Sequence, residues 1–296
     1  MSAADLPAGP GSTAGRTAPL RPAAGGRGAL RLLGSELRLI GGRRRNQAGL
    51  LVLAAVPVVI AIAVKISTPR AGRGPDFISS ITSNGLFVPL AALTVEMGMF
   101  LPLAMSMLSG DAVAGEANIG TLRYLLTVPV GRTRLLLVKY LSLVIGAVWG
   151  VLAVVIPGAL VGVAIFGTGA MTTLSGTQIG LGAALWRLTL ASLYVAAGLA
   201  ALAAIGLFIS SLTEQPIAAA ISLMIITAAM WILDGIDQVA WLHPWLLVDH
   251  YLAFGDLLRD PIAGSGMGQG LLLYLAYAVV FWLAAWARFA GKDITS

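Results

Sequence analysis

Asp111 and Glu116 stand out between two long apolar stretches that hold almost no charge. They lie in "GDAVAGEANIGTLRYLLTVPVGR", residues 110–132, and are followed by Arg123, Arg132 and Arg134. Such a stretch presents both charge signs to a partner, and Leu122, Leu125 and Leu126 add an apolar face. Gly115 and Gly120 permit bends, and Pro129 ends any helix by residue 128. A second candidate, Glu96, sits within the apolar run "LAALTVEMGMF". An ionisable group at that depth costs at least ~2.5 kcal/mol unless it faces protein or water. It could contact cargo, carry a proton or hold a buried hydrogen bond. No basic residue lies mid-way along another apolar run, which favours a protonated Glu96. A third group, His243, Asp249 and His250, offers metal-ligand atoms. Asp249, Asp256 and Asp260 fall near one face beside Leu246, Leu247, Tyr251, Phe254 and Leu258, so interfacial packing is the stronger reading and no metal is expected.

Self-contained catalysis finds no support. The three lysines, Lys65, Lys139 and Lys292, are not followed by Ser or Thr, so no G-x-x-x-x-G-K-[ST] phosphate cradle exists. The two histidines are seven apart and form no H-E-x-x-H. No serine has a glycine two positions before it, so no G-x-S-x-G elbow exists. Cysteine is absent, which removes thiolate chemistry. The expectation is that the chain is not an enzyme and binds no cofactor itself.

Composition says where these residues must work. The chain has 296 residues, 58% hydrophobic and 11% charged, with a mean hydropathy of +0.89. Soluble domains average roughly 25% charged residues. The net charge of +6 lies wholly in residues 1–45, which hold eight arginines against Asp5 and Glu36. The basic excess is thus a tail beside anionic lipid, not a nucleic-acid surface.

Residues 1–28 are rich in Ala, Gly and Pro and are expected to be disordered. Residues 29–45 carry Leu30, Leu33, Leu37 and Ile40 on one helical face and Arg31, Ser35 and Arg38 on another, which predicts an amphipathic interfacial helix. Arg43, Arg44 and Arg45 mark the cytoplasmic edge. A spanning helix needs ~20 apolar residues. Six candidates follow within 46–292, at about 48–66, 86–109, 135–166, 183–212, 216–233 and 270–290. The third is interrupted by Pro157. The fourth and fifth are separated only by "SLTEQP". Between the fifth and sixth, residues 234–269 form the largest outer loop, expected to hold re-entrant or interfacial helices, with Trp231, Trp241 and Trp245 in an aromatic belt. Six spans put both termini on one side. Of 19 Lys and Arg, only Lys65, Arg70, Arg73, Arg187 and Arg259 fall on the other, so the positive-inside rule makes the termini cytoplasmic. Gly146/Gly150 and Gly158/Gly162 form two Gly-x-x-x-Gly pairs, read chiefly as packing within the chain.

The opening stretch resembles a motif of the ABC-2 type permease family. The pattern D-x-x-x-x-E-x-x-x-G-T-L-x-x-L-L-x-x-P-V-x-R, with a lysine a few residues on, is matched by Asp111, Glu116, Gly120, Thr121, Leu122, Leu125, Leu126, Pro129, Val130, Arg132 and Lys139. "SSLTEQPIAAAI", 210–221, is similar to a second family feature, a Ser-Ser-Leu-Thr turn between spans four and five. The resemblance covers about residues 29–292. It implies an all-α integral membrane permease of an ABC exporter in the bacterial inner or plasma membrane. Two copies of a separate ATPase subunit would carry ATP and Mg, and a second permease subunit would complete a homodimer or heterodimer. It also implies a cytoplasmic coupling helix between spans two and three. On that reading Asp111, Glu116, Gly120, Thr121, Leu122, Arg123, Pro129 and Arg132 couple the ATPase, and Glu116 anchors it by charge-assisted hydrogen bonds. Cargo would be apolar or amphipathic, such as a drug, lipid or peptide. The alternative is a secondary transporter using Glu96 as proton carrier.

Overall fold

The computed structural model describes residues 25–67, 84–118 and 131–290. The expected tail up to residue 24, and the site candidates Gly120, Thr121, Leu122, Arg123 and Pro129, lie outside the described residues.

The chain is a multi-pass membrane protein, and its described residues are mostly helical. Among them the helices are α1 (Gly25–Gly42), α2 (Arg44–Ser67), α3 (Phe87–Gly98), α4 (Phe100–Asn118), α5 (Arg132–Phe166), α6 (Leu181–Leu212), α7 (Pro216–Asp234) and α8 (Gly264–Ala290). Five of them, α2, α5, α6, α7 and α8, are each long and apolar enough to cross a membrane. The pair α3 and α4 reaches that length together, bent by 57°. A two-residue antiparallel pair, Met171–Thr172 with Gln178–Ile179, and two 3-10 segments, Asp237–Trp245 and Ala253–Leu258, fill the links at one end.

The bend in the second apolar run has a covalent cause. In an unbroken helix the Gly98 carbonyl would accept from the N–H of residue 102, and residue 102 is proline. The Met99 N–H instead closes a tight turn onto Glu96 O at 3.2 Å, and the ladder resumes with Leu103 N–H donating to Met99 O at 2.9 Å. Pro157, expected to interrupt the third run, does not: α5 is continuous from Arg132 to Phe166. One lost ladder bond is tolerated where neighbouring helices hold the chain straight. The amphipathic helix begins four residues earlier than expected, at Gly25, and stops at Gly42, so Arg44 and Arg45 open the first apolar helix.

Helix α6 is the hub. Of its most apolar window 72% is buried, against 17% in each of α2, α7 and α8. Its Ala/Gly run, with Ala201, Leu202, Ala203 and Ala204 fully buried, lets α4, α5 and α8 pack closely on it. Both Gly-x-x-x-Gly pairs pack inside this chain. A Cβ on Gly162 would overlap the carbonyl of Gly85, and a Cβ on Gly158 would lie 3.0 Å from Pro89 Cα and 3.1 Å from Pro57 Cβ. The obstacle at Gly162 is backbone, which cannot rotate away. Gly162→Val should therefore separate α5 from the start of α3, an overpacking cost of about 3 kcal/mol or more. A thermal-melt drop of several degrees in detergent checks this, and wild-type melting would refute the close crossing.

The amphipathic helix packs its inner face on α5 and α2. Leu33, Leu37 and Ile40 are half-buried, whereas Leu30 is 70% exposed. The expected apolar face therefore holds for its last three members. Leu32 also packs against the core.

Candidate functional site

The charged residues at one end of the bundle form a connected cluster. Asp111 and Glu116 are on the last two turns of α4, five residues and so about 140° apart around its axis, yet both line one pocket closed by α1 and α5. Arg43 and Arg45, from the α1–α2 junction, both donate to Asp111 Oδ2. Lys139, on the second turn of α5, is 1% exposed and donates to Glu116 Oε1 at 2.6 Å and to Glu36 Oε1 at 3.1 Å. Four helices thus meet through one aspartate, two glutamates, one lysine and two arginines. A buried ammonium is tolerated only where paired and hydrogen-bonded, and two carboxylates meet that need. Arg132 opens α5 nearby and is half-buried.

Ser210 fastens α4 from the opposite side. Its hydroxyl accepts from the N–H groups of Val113 (3.1 Å) and Ala114 (2.9 Å) and donates to Gly110 O (2.8 Å). The carbonyl of Gly110 is the one that the Ala114 N–H would meet in a regular helix. The serine therefore bridges both groups of the Gly110–Ala114 ladder position, between which Asp111 sits. Close approach makes this bridge feasible. A Cβ on Gly110 would stand 2.8 Å from Pro216 O and 3.0 Å from Ala220 N, so α7 begins against the glycine itself. The Ser-Ser-Leu-Thr turn and the Asp…Glu helix, separate in sequence, are one structure.

Three members of this cluster, Glu36, Arg43 and Arg45, were not legible as site residues beforehand. Glu36 counted only as charge, and Arg43 to Arg45 only as an edge marker. The available signal was that Glu36 is the sole acid on a helix whose other charges are basic. Glu116, expected to anchor a soluble partner, is engaged inside the chain by Lys139.

Glu96 is fully buried at the end of α3, beside the break at Met99. Neither carboxylate oxygen has a hydrogen-bond partner among the described residues. The buried hydrogen bond anticipated as its ordinary role is thus not found there.

At the opposite end of the bundle the acids of the outer loop have separate partners. Asp260 is 3.7 Å from Arg187 and accepts from Thr177 Oγ1 at 2.9 Å, whereas Asp256 is 3.6 Å from Arg259. Both histidines are occupied by main chain. His243 Nε2 is 3.1 Å from Leu233 O and 3.2 Å from Ile236 O, and His250 Nε2 is 3.2 Å from Pro244 O. Among the described residues no group of three or more His, Asp or Glu could hold a metal ion. Tyr251, fully buried, packs against Trp231 and Tyr274, while Trp241 and Trp245 are exposed. Leu246, Leu247, Tyr251, Phe254 and Leu258 of this segment are buried against the bundle, whereas Asp237–Trp245 has no buried residue.

A family model described as "Protein of unknown function (DUF2705)" matches residues 58–295. The chain belongs to this family. The matched stretch of the DUF2705 chain includes Asp111, Glu116, Lys139 and Ser210, and leaves out Glu36 and Arg43 to Arg45. No curated protein matches the sequence.

Proposed function

We propose that this DUF2705 chain is the permease subunit of an ATP-binding cassette transporter of the ABC-2 type. On this reading α2, the bent α3–α4 pair, α5, α6, α7 and α8 are six spans, and both termini lie in the cytoplasm of a bacterial cell. The chain exports an apolar or amphipathic cargo and works with a second permease subunit. Two copies of a separate ATPase bind ATP and Mg and supply the energy.

One observation carries this reading. Three charged members of the permease-like motif, Asp111, Glu116 and Lys139, converge at one end of the bundle with Arg43 and Arg45. They hold both helices that flank residues 119–130, the segment expected to grip the motor. A coupling element transmits force only if its base is stiff, and ion pairs among four helices supply a stiff base. Asp111 and Glu116 then act by holding that base, and Leu122 and Arg123 are the residues offered to the ATPase.

The test is reconstitution with the ATPase that co-purifies with the tagged chain. Vanadate-sensitive, cargo-stimulated ATP turnover is expected. A second reading, proton-coupled transport through Glu96, is favoured by the unpartnered burial of that carboxylate. Transport that follows a proton gradient without nucleotide, and is lost in Glu96→Gln, would replace the first reading with the second.

A further inference from the structure

Two apolar grooves run along α4 and meet at one arginine. The first lies between α2, α4 and α5 and is lined by Leu50, Leu53, Leu101, Met105, Gly146 and Gly150. The second lies between α4 and α7 and is lined by Leu103, Ile217, Ala220, Ile221, Met224 and Ile225. Only Met107 and Arg45 border both. Met107 is the ridge between the grooves and is 40% exposed. Arg45 stands at their common end, where Arg43, Arg44, Asp111, Asn118 and Pro216 line a shallow pocket. The charges in that pocket do not balance. Three arginines and one acid, Asp111, line it, and Arg43 and Arg45 share that acid. Arg44 is exposed and makes no ion pair among the described residues.

The geometry points to an anionic diacyl phospholipid seated astride α4, its phosphate on Arg44 and Arg45 and one acyl chain in each groove. Three features select this occupant. The grooves lie on membrane-spanning helices; exposed Ile217, Ile221 and Ile225 open the second, and buried Leu53, Leu101 and Met105 form the floor of the first. Their linings are apolar almost throughout, and their shared end has a surplus of positive charge. The Met107 ridge divides the apolar space in two directly below that charge, which suits two chains on one headgroup. A helix from a second copy would cover Ile217, Ile221 and Ile225, yet would leave the first groove and the arginines unused. The inference is independent of the transport reading, because it concerns a resident lipid and not cargo.

Native mass spectrometry of the purified full chain in mild detergent tests it. The probes are dioleoyl phosphatidylglycerol, dioleoyl phosphatidylcholine, monooleoyl phosphatidylglycerol and inorganic phosphate. One phosphatidylglycerol per chain is expected to be retained in preference to the choline lipid. Each arginine near an anionic headgroup contributes on the order of fivefold in affinity. Arg44→Gln should therefore weaken retention about fivefold, and Arg44→Gln with Arg45→Gln about 25-fold. The single variant keeps both ion pairs to Asp111, so its effect is not one of misfolding. Monooleoyl lipid should be held less well than the diacyl form, and inorganic phosphate should not displace it. Equal retention of the two diacyl lipids, an unchanged Arg44→Gln, equal retention of the monoacyl lipid, or displacement by phosphate would each overturn the assignment. So would a dimer that excludes lipid while the monomer binds it.

Discussion

Lys139→Met is expected to remove most of the folded protein. The substitution keeps the length of the side chain and deletes its charge. Glu36 and Glu116, both largely buried, then lose their shared cation and repel each other. Removing one partner of a buried ion pair costs about 3–5 kcal/mol, since the remaining charge stays desolvated. Against a total stability of ~5–15 kcal/mol that is a large fraction. The amphipathic helix should detach first, because Glu36 is its only acid and its ion pair to α5 is with Lys139. Monodisperse yield on size exclusion and the melting midpoint measure the effect. The companion variant sharpens it. Lys139→Met with Glu36→Gln and Glu116→Gln removes every charge of the triad, and should recover much of the lost stability. If the single variant melts like wild type, the triad does not hold the bundle. If the triple variant is no better than the single one, the loss comes from packing.

The apolar skeleton was legible in the sequence because lipid imposes one rule on every span. Runs of ~20 apolar residues must be helices that satisfy their own backbone. The start of α7 at Pro216 and the end of α6 before it therefore fell where composition placed them. The break at Met99 was missed, although its signal was present as Gly98 followed four residues later by Pro102. A hydropathy profile does not register it, since both flanks are equally apolar. Pro157 was given more weight than it has, because tertiary packing on α5 outweighs one missing hydrogen bond.

The site was legible as a list of residue types and not as an assembly. Asp111 and Glu116 stood out because they are acids in an apolar chain. Their partners are Arg43, Arg45 and Lys139; the motif spacing reaches only Lys139, and no local pattern brings in the two arginines or Glu36, the second acid on Lys139. The bridging of the α4 ladder by Ser210 is further from reach, since it depends on Gly110 touching the start of α7. A serine at a helix end ordinarily caps its own turn. Here it satisfies a different helix about a hundred residues away. The two histidines show the converse. Their types suggested ligands, and the fold spends both on main-chain carbonyls.

Glu116→Arg should abolish ATPase-linked transport, and Lys139→Glu in the same chain should bring it back in part. In the single variant a guanidinium faces the Lys139 ammonium where Glu116 Oε1 now lies 2.6 Å away. Two like charges in a buried site cost several kcal/mol, and α4 must move off α5 to separate them. Residues 119–130 would then hang from a loose base, so ATP binding at the motor would no longer reach the spans. The exchange puts a carboxylate on α5 and a guanidinium on α4, with Glu36 beside both. Opposite charges again face each other across the same two helices, and the pair is restored with its direction reversed. Arginine is longer than glutamate, so recovery should be incomplete, on the order of a tenth of wild-type turnover or more. The two readouts, melting midpoint and cargo-stimulated ATP turnover, separate two roles for Glu116. If the exchange restores both, Glu116 serves the coupling segment by holding its base, as the buried triad implies. If it restores the melting midpoint while turnover stays absent, the Glu116 carboxylate itself is required at the motor, and the holding role assigned to it fails.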